Sequence, residues 1–436
     1  MKESHIRMRQ AIENAAWLIG EKLIRMLLGL LVSASVARYL GPAQFGELAY
    51  GVSLCAFFLA FATLGLDGLV VRDIATKPEM ANEILGTVFR LRLGAAFSGW
   101  LCACILAWVL RPGDSHTLLI VALIGAAILF QPADTIDLWF QSKTQSRRTV
   151  SAKIVGYLIA CGLKVILIVA AAPLYAFAAV NIADTAIVAV LLFFSYSRFP
   201  SGGNGWSWNF PLARRLIGES WPVMIAGLSI IVYMRIDQLM LRALADEAEL
   251  GIFSAAVPLS QAWTFLPVAI CSTALPYMSR LRREDPAAFQ AKLQLLFTFL
   301  VWLAISIVVV TLFLAPKIVS LILGVQYQGA ALVLMIHITT NIFIFLGVAQ
   351  SQWIIVEGRT RLTLIKSGVG AIVSVAANFI LIPQYGAVGA AISAVIAQAM
   401  SSVLCNIVIA PAMFKMQIEA IMPFRLIFRF RRSVRV

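Results

Sequence analysis

Residues 17–40 read WLIGEKLIRMLLGLLVSASVARYL. At about 1.5 Å of rise per residue, a helix over this stretch is long enough to cross about 30 Å of hydrocarbon. It nevertheless carries Glu21, Lys22 and Arg25. A Lys or Arg at the centre of a span costs about 2.5–3.5 kcal/mol to insert, so charges kept there face a protein interior or a wet cavity rather than lipid. Two questions follow: how often such runs recur, and what their charges face.

They recur along nearly the whole chain. With 61% hydrophobic residues and 13% charged ones, and a mean hydropathy of +0.90, the composition is that of a polytopic membrane protein. Twelve spans are predicted: Trp17–Leu40, Gln44–Leu66, Leu85–Leu110, Thr117–Phe140, Val150–Ala172, Leu174–Ser195, Leu216–Leu241, Leu250–Met278, Lys292–Leu323, Ala330–Val356, Arg361–Ile382 and Ala387–Pro411. Pro258, Pro267 and Pro316 interrupt the eighth and ninth, which are expected to bend or project there. Basic residues crowd the N-terminal tail, the C-terminal tail and the connections after even-numbered spans, where Lys153 and Lys366 are counted. The opposite side holds Arg38, Arg111, Arg242 and Lys317. This bias predicts both termini in the cytoplasm.

The same bias accounts for most of the net charge of +14, so no nucleic-acid partner is expected. The tail from Arg425 to Arg435 alternates basic and apolar residues, which suits either a plain positive-inside tail or a helix on an anionic leaflet. No small-residue cleavage site follows a short apolar core, and the first span is expected to be retained. Cys55, Cys102, Cys104, Cys161, Cys271 and Cys405 lie in apolar runs without CxxC spacing, so they read as buried thiols, with no metal site and no cofactor.

The predicted outer connections are all short, leaving no room for a catalytic loop. The one long polar connection, Tyr196–Arg215, includes Ser201-Gly202-Gly203-Asn204-Gly205 and divides the chain into halves. Those halves look like copies. Arg38-Tyr39-Leu40, Phe45-Gly46 and Val52-Ser53-Leu54 parallel Arg242-Ala243-Leu244, Leu250-Gly251 and Val257-Pro258-Leu259. Gly156 through Lys164-Val165-Ile166-Leu167-Ile168 parallels Gly370 through Asn378-Phe379-Ile380-Leu381-Ile382. The expected fold is all-α, with about twelve transmembrane helices in two six-helix bundles related by a pseudo-twofold axis along the membrane normal, flanking a central cavity. The expected parts are a bundle over 1–196, a cytoplasmic linker over 197–215, a bundle over 216–414 and a basic tail over 415–436. Two such bundles suit alternating access.

Arg38-Tyr39-Leu40-Gly41-Pro42 with Phe45-Gly46, the Gly324–Leu334 stretch with Tyr327, and above all the run from Asn378 through Pro383-Gln384-Tyr385-Gly386 to Ala391 carry a further signal. They resemble the polysaccharide exporters (Wzx-type flippases) of the multidrug/oligosaccharidyl-lipid/polysaccharide flippase superfamily. The resemblance implies transport of an undecaprenyl-diphosphate-linked oligosaccharide from the cytoplasmic to the periplasmic leaflet of a bacterial inner membrane, for O-antigen, capsule or exopolysaccharide assembly. It implies no enzymatic step. Membrane lipids, a glycan polymerase and assembly proteins are the implied neighbours. A multidrug/cation antiporter of the same superfamily is the alternative, followed by a membrane glycan polymerase or ligase.

A lipid diphosphate needs cations in a hydrated groove. Lys22, Arg25, Arg90 and Arg92 lie about 8–12 Å into their spans, Lys164 about 21 Å and Arg235 about 28 Å. Together they form a candidate ladder for the phosphates. Four have a plainer reading: a Glu21–Arg25 ion pair, snorkelling by Arg90 and Arg92, and, for Arg235, anchoring of the outer interface or pairing with a neighbouring helix; Lys164 is too deep to snorkel cheaply. Ion coupling, with H⁺ or Na⁺, has Asp184, Glu21 and Asp237 as candidates. Asp184 equally suits neutralising Lys164, and Asp237 suits a structural contact between helices. Asp134, Asp137 and Gln141 read as a solvated vestibule, and His337 with Asn341 as a core pair.

Overall fold

The computed structural model describes residues 2–199 and 205–422, with side chains described from Ile24 onward. Glu21, Lys22 and the basic run Arg425–Arg435 fall outside the described side chains. The described residues are helical apart from short turns and the coil at 205–209, as hydrocarbon demands of a chain whose backbone must satisfy its own hydrogen bonds. They form two compact units, Met1–Val232 and Tyr233–Val436.

The first unit contains α1 (Lys2–Ala62), α2 (Asp67–Thr76), α3 (Ala81–Leu110), α4 (Ser115–Ala126), α5 (Asp134–Ser142), α6 (Ser146–Val169), α7 (Leu174–Ser197) and the first part of α8 (Phe210–Leu244). Helix α1 is broken at Gly41, whose φ of 77° and ψ of 170° are non-helical. Positive φ is open to glycine at little cost, so the break falls where the sequence places it. The predicted fourth span is not one helix: a 3₁₀ segment, Ala127–Ala133, joins α4 to α5 around Pro132. The stretch Asp67–Thr76, expected as a connection, is itself a helix, and its buried Val70 and Ile74 join a core with Leu66, Ile84, Trp139 and Leu216.

The second unit contains the rest of α8, α9 (Glu247–Gln261), α10 (Phe265–Glu284), α11 (Pro286–Ile322), α12 (Gly329–His337), α13 (Thr340–Val356), α14 (Arg361–Ala399), a π-helical turn at Met400–Leu404, α15 (Asn406–Ile409) and α16 (Pro411–Ile421). The eighth span breaks as expected, through a 3₁₀ turn at Ala262–Thr264. In the ninth, α11 runs unbroken through Pro316. Its core is built from Phe289, Leu293, Phe297 and Leu300 of α11 against Phe345, Leu346 and Ala349 of α13. Helix α14 is broken at Gly386 (φ 54°, ψ −129°). There the chain reverses so tightly that a Cβ on Gly389 would stand 2.6 Å from the Leu381 carbonyl carbon. Glu249 caps the restarted helix, its carboxylate accepting from the Ala387 N–H at 2.6 Å.

Among the described residues, ten helical stretches are long and apolar enough to cross a membrane. The first and last, Ile24–Thr76 and Arg361–Ile409, contain the breaks at Gly41 and Gly386.

Candidate functional site

Charge inside the first unit gathers around α6. Gly29 of α1 leaves room for the Tyr157 ring, since a Cβ there would lie 2.5 Å from the Tyr157 hydroxyl. That hydroxyl donates to the Arg25 carbonyl at 3.1 Å, and the Arg25 guanidinium stacks over the Tyr157 ring at 4.8 Å. Arg25 also donates to the Lys153 carbonyl at 3.2 Å. Tyr157, Cys161 and Lys164 are spaced i, i+4, i+7, one stripe of the helix. Asp184, on the α7 that packs along α6, interacts electrostatically with both Arg25 and Lys164. Its Oδ1 is buried with no hydrogen-bond partner among the described residues. Two cations and one carboxylate, predicted from separate spans, therefore share one polar cluster.

One turn of α6 before Tyr157, Lys153 binds Asp137 and lies 3.6 Å from Asp134. Gln141 donates to Asp137 at 3.1 Å. Asp137 is buried, so the expected solvated vestibule is an ion-pair clasp between α5 and α6. Lys153 likewise belongs to this clasp rather than to an exposed connection.

The other cations separate. Arg90 is exposed on α3. Arg92 turns inward instead of snorkelling: its side chain is fully buried, paired with the exposed Asp67 and reaching the Thr63 carbonyl at 3.5 Å. Its Nε and Nη1 have no hydrogen-bond partner among the described residues. Arg235 donates to Gln238 one turn along α8, at 3.2 Å.

Asp237 has the most enclosed setting among the predicted acids with described side chains. Ser374 Oγ donates to it at 2.8 Å and Asn378 Nδ2 at 2.6 Å, both from one face of α14. Asn378 Oδ1 is buried and has no hydrogen-bond partner among the described residues. Close approach is again set by a glycine, since Gly370 brings α14 against Tyr233, with 2.8 Å from a built Cβ to the ring. Tyr233 donates to Gln398, which donates in turn to Ser402 at 2.8 Å.

Lys366 is counted with the basic connections in sequence, yet it lies inside the second unit. It is buried, donating to Gln350 and, at 3.5 Å, to the Ser402 carbonyl. Asn406 and Gln417 complete the cage, with Asn406 donating to Gln350 at 3.0 Å and to Gln417 at 2.9 Å. A lysine six residues into an apolar run was the available signal. His337 is a core residue, as expected, though through Ser260: its Nδ1 lies 2.6 Å from the hydroxyl, and Asn341 donates to the Ser260 carbonyl at 3.0 Å. Of the cysteines, Cys55, Cys161 and Cys271 are buried, whereas Cys102 is exposed and Cys104 and Cys405 are partly so. Residue burial leaves these three beside apolar neighbours on helix surfaces, which the apolar pattern alone does not distinguish from core. No group of three or more His, Cys, Asp or Glu side chains is placed to hold a metal ion among the described residues.

A family model described as "Polysaccharide biosynthesis protein" matches residues 11–282. The chain is 22% identical over 396 residues to the capsular polysaccharide biosynthesis protein CapF of Staphylococcus aureus, covering 89% of this chain and 96% of that one. Among solved structures, an inward-facing multidrug resistance MATE family transporter of the MOP superfamily matches with a TM-score of 0.72 at 12% identity, over 90% of this chain and 95% of its own. The lipid II flippase MurJ, in an inward closed conformation, matches with a TM-score of 0.67 at 13% identity, over 95% and 92%. At these identities the likeness is one of fold.

Proposed function

This chain belongs to the polysaccharide biosynthesis protein family, and from that premise we propose that it is a flippase carrying a polyprenyl-diphosphate-linked oligosaccharide from the cytoplasmic to the periplasmic leaflet of a bacterial inner membrane. The relative CapF is named for capsular polysaccharide biosynthesis, which supports a surface glycan as the product of the route. Twelve crossings follow if the stretches broken at Gly41 and Gly386 each cross twice. Two six-helix bundles with both termini cytoplasmic then give alternating access.

The observation that carries the reading is the cluster of Arg25, Lys164 and Asp184 within membrane-spanning helices of the first unit. A diphosphate is met by fixed cations through charge-assisted hydrogen bonds, which are about twice as strong as neutral ones. Asp184 offsets those cations when no anion is bound, so an empty carrier does not hold two unbalanced charges in low dielectric. Arg92, fully buried and paired with Asp67, stands apart from this cluster. Coupling to H⁺ or Na⁺ is assigned to Asp184 or to Asp237 with Ser374 and Asn378. Glycan polymerase and assembly proteins are its proposed neighbours.

Charge reversal tests this reading. Arg25→Glu or Lys164→Glu is expected to abolish surface glycan while membrane abundance of the protein is unchanged. Wild-type glycan in both variants would sink the cationic role. A second reading, a multidrug/cation antiporter, is favoured by the buried Asp237 alone. Gradient-driven efflux of a cationic dye from proteoliposomes, lost in Asp237→Asn and indifferent to Lys164→Glu, would select it.

A further inference from the structure

The π-helical turn at Met400–Leu404 inserts an extra residue into the helix that returns from Gly386. Such bulges shift the register of a helix face and recur at functional sites. Beside it the second unit opens a groove of about 570 Å³, lined by Ile365, Val369, Met400, Leu404, Ile407 and Val408 with Cys405. The lining is almost wholly apolar, and Ile365, Leu404, Ile407 and Val408 are exposed.

Charge near this groove is one-sided. Arg361, Ile365 and Val369 follow one another at i, i+4 and i+8, so the guanidinium lies on the helix stripe that continues into the groove wall. Arg361 is exposed, and no acidic side chain pairs with it among the described residues. Beneath the wall, Lys366 is held by amide and carbonyl oxygens alone, and its charge interacts with Cys405 of the lining. Arg361, one turn before the groove wall on the same helix stripe, and the buried Lys366 thus bring to this apolar groove two cations without a carboxylate partner among the described residues. Ordinary lipid solvation needs neither the charge nor the concavity.

We propose that this groove is a binding site for an anionic phospholipid, with one acyl chain along Ile365, Val369 and Leu404 and the phosphate on Arg361. Lys366 does not touch the headgroup; it contributes its field from below. The site depends on the orientation proposed above, with the Arg361 end of α14 in the cytoplasmic leaflet, and not on the identity of the transported cargo. A juxtamembrane Arg contributes about 1 kcal/mol toward an anionic surface.

The test is native mass spectrometry of the full-length protein in non-ionic detergent, equilibrated with phosphatidylglycerol and phosphatidylcholine of matched chains. Phosphatidylglycerol adducts are expected to predominate, and Arg361→Gln to lower that preference roughly fivefold, the factor equivalent to that energy. Val369→Trp fills the groove and is expected to remove the adducts, and the exposed Leu404→Asn to weaken them without a folding risk. Arg280→Gln, a basic residue of α10 outside the groove, is expected to leave them unchanged. Equal retention of both lipids, or adducts unaffected by both groove variants, overturns the proposal. Preferential retention of undecaprenyl phosphate over phosphatidylglycerol also overturns it, in favour of a cargo-tail site.

Discussion

Lys153 and Asp137 illustrate what a buried ion pair is for. The carboxylate retains 9% of its side-chain exposure and the lysine 21%, so each depends on the other for solvation. Removing one partner of such a pair strands the other charge, at a cost of about 3–5 kcal/mol. Lys153→Ala is expected to lower the detergent melting temperature sharply, whereas the double variant Lys153→Met with Asp137→Leu restores most of it; equal loss in both would refute the clasp. The position of each charge along its helix was legible, because rise per residue is fixed. Its partner was not: Arg25 meets Lys153 across 128 residues, and periodicity within one helix carries no information about the facing helix. The same limit explains why Arg92, which depth alone assigned to the interface, turns inward to Asp67.

At the level of the element, the breaks at Gly41 and Gly386 were readable as short connections, since Gly-Pro and Pro-Gln-Tyr-Gly punctuate apolar runs. The internal breaks were less so. Pro132 marks a 3₁₀ passage at Ala127–Ala133 while Pro316 leaves α11 continuous; what decides is whether neighbours satisfy the freed carbonyl, which a single sequence does not encode. Gly386 has two constraints, a positive φ and the Glu249 carboxylate, whose Cδ is 2.8 Å from a built Cβ. Gly386→Val therefore combines a left-handed residue, about 1–2 kcal/mol, with displacement of the cap. Glu249→Ala removes only the cap, about 1 kcal/mol. Thermal unfolding in detergent is expected to rank wild type above Glu249→Ala above Gly386→Val, and a milder effect for Gly386→Val would contradict the capping role.

Across the whole molecule, each unit assembles its polar cluster from comparable places. The first uses α1, α6 and α7; the second uses α8 and the two arms of α14 on either side of Gly386. One is cationic with Asp184 as its counter-charge, the other centres on Asp237. Gly156 and Gly370, which the sequence aligns as counterparts, both make close packing contacts, 2.5 Å from a built Cβ to Val188 and 2.8 Å to Tyr233. Membrane orientation has a direct check. In a cysteine-free background, Ser115→Cys is expected to react with an impermeant maleimide from outside intact cells, and Thr360→Cys only after permeabilisation; the reverse pattern would invert the topology. The start of α8 has its own consequence. Backbone at Ser207 fills the space beside Gly86, 2.7 Å from a built Cβ, Asn209 N–H donates to Thr87 at 3.1 Å, and Arg215 binds Asp73. Residues after 204 therefore complete the first unit, so a gene cut between Phe199 and Gly205 yields two polypeptides of which the second brings its own docking segment, making this the natural seam for a split, complementing protein.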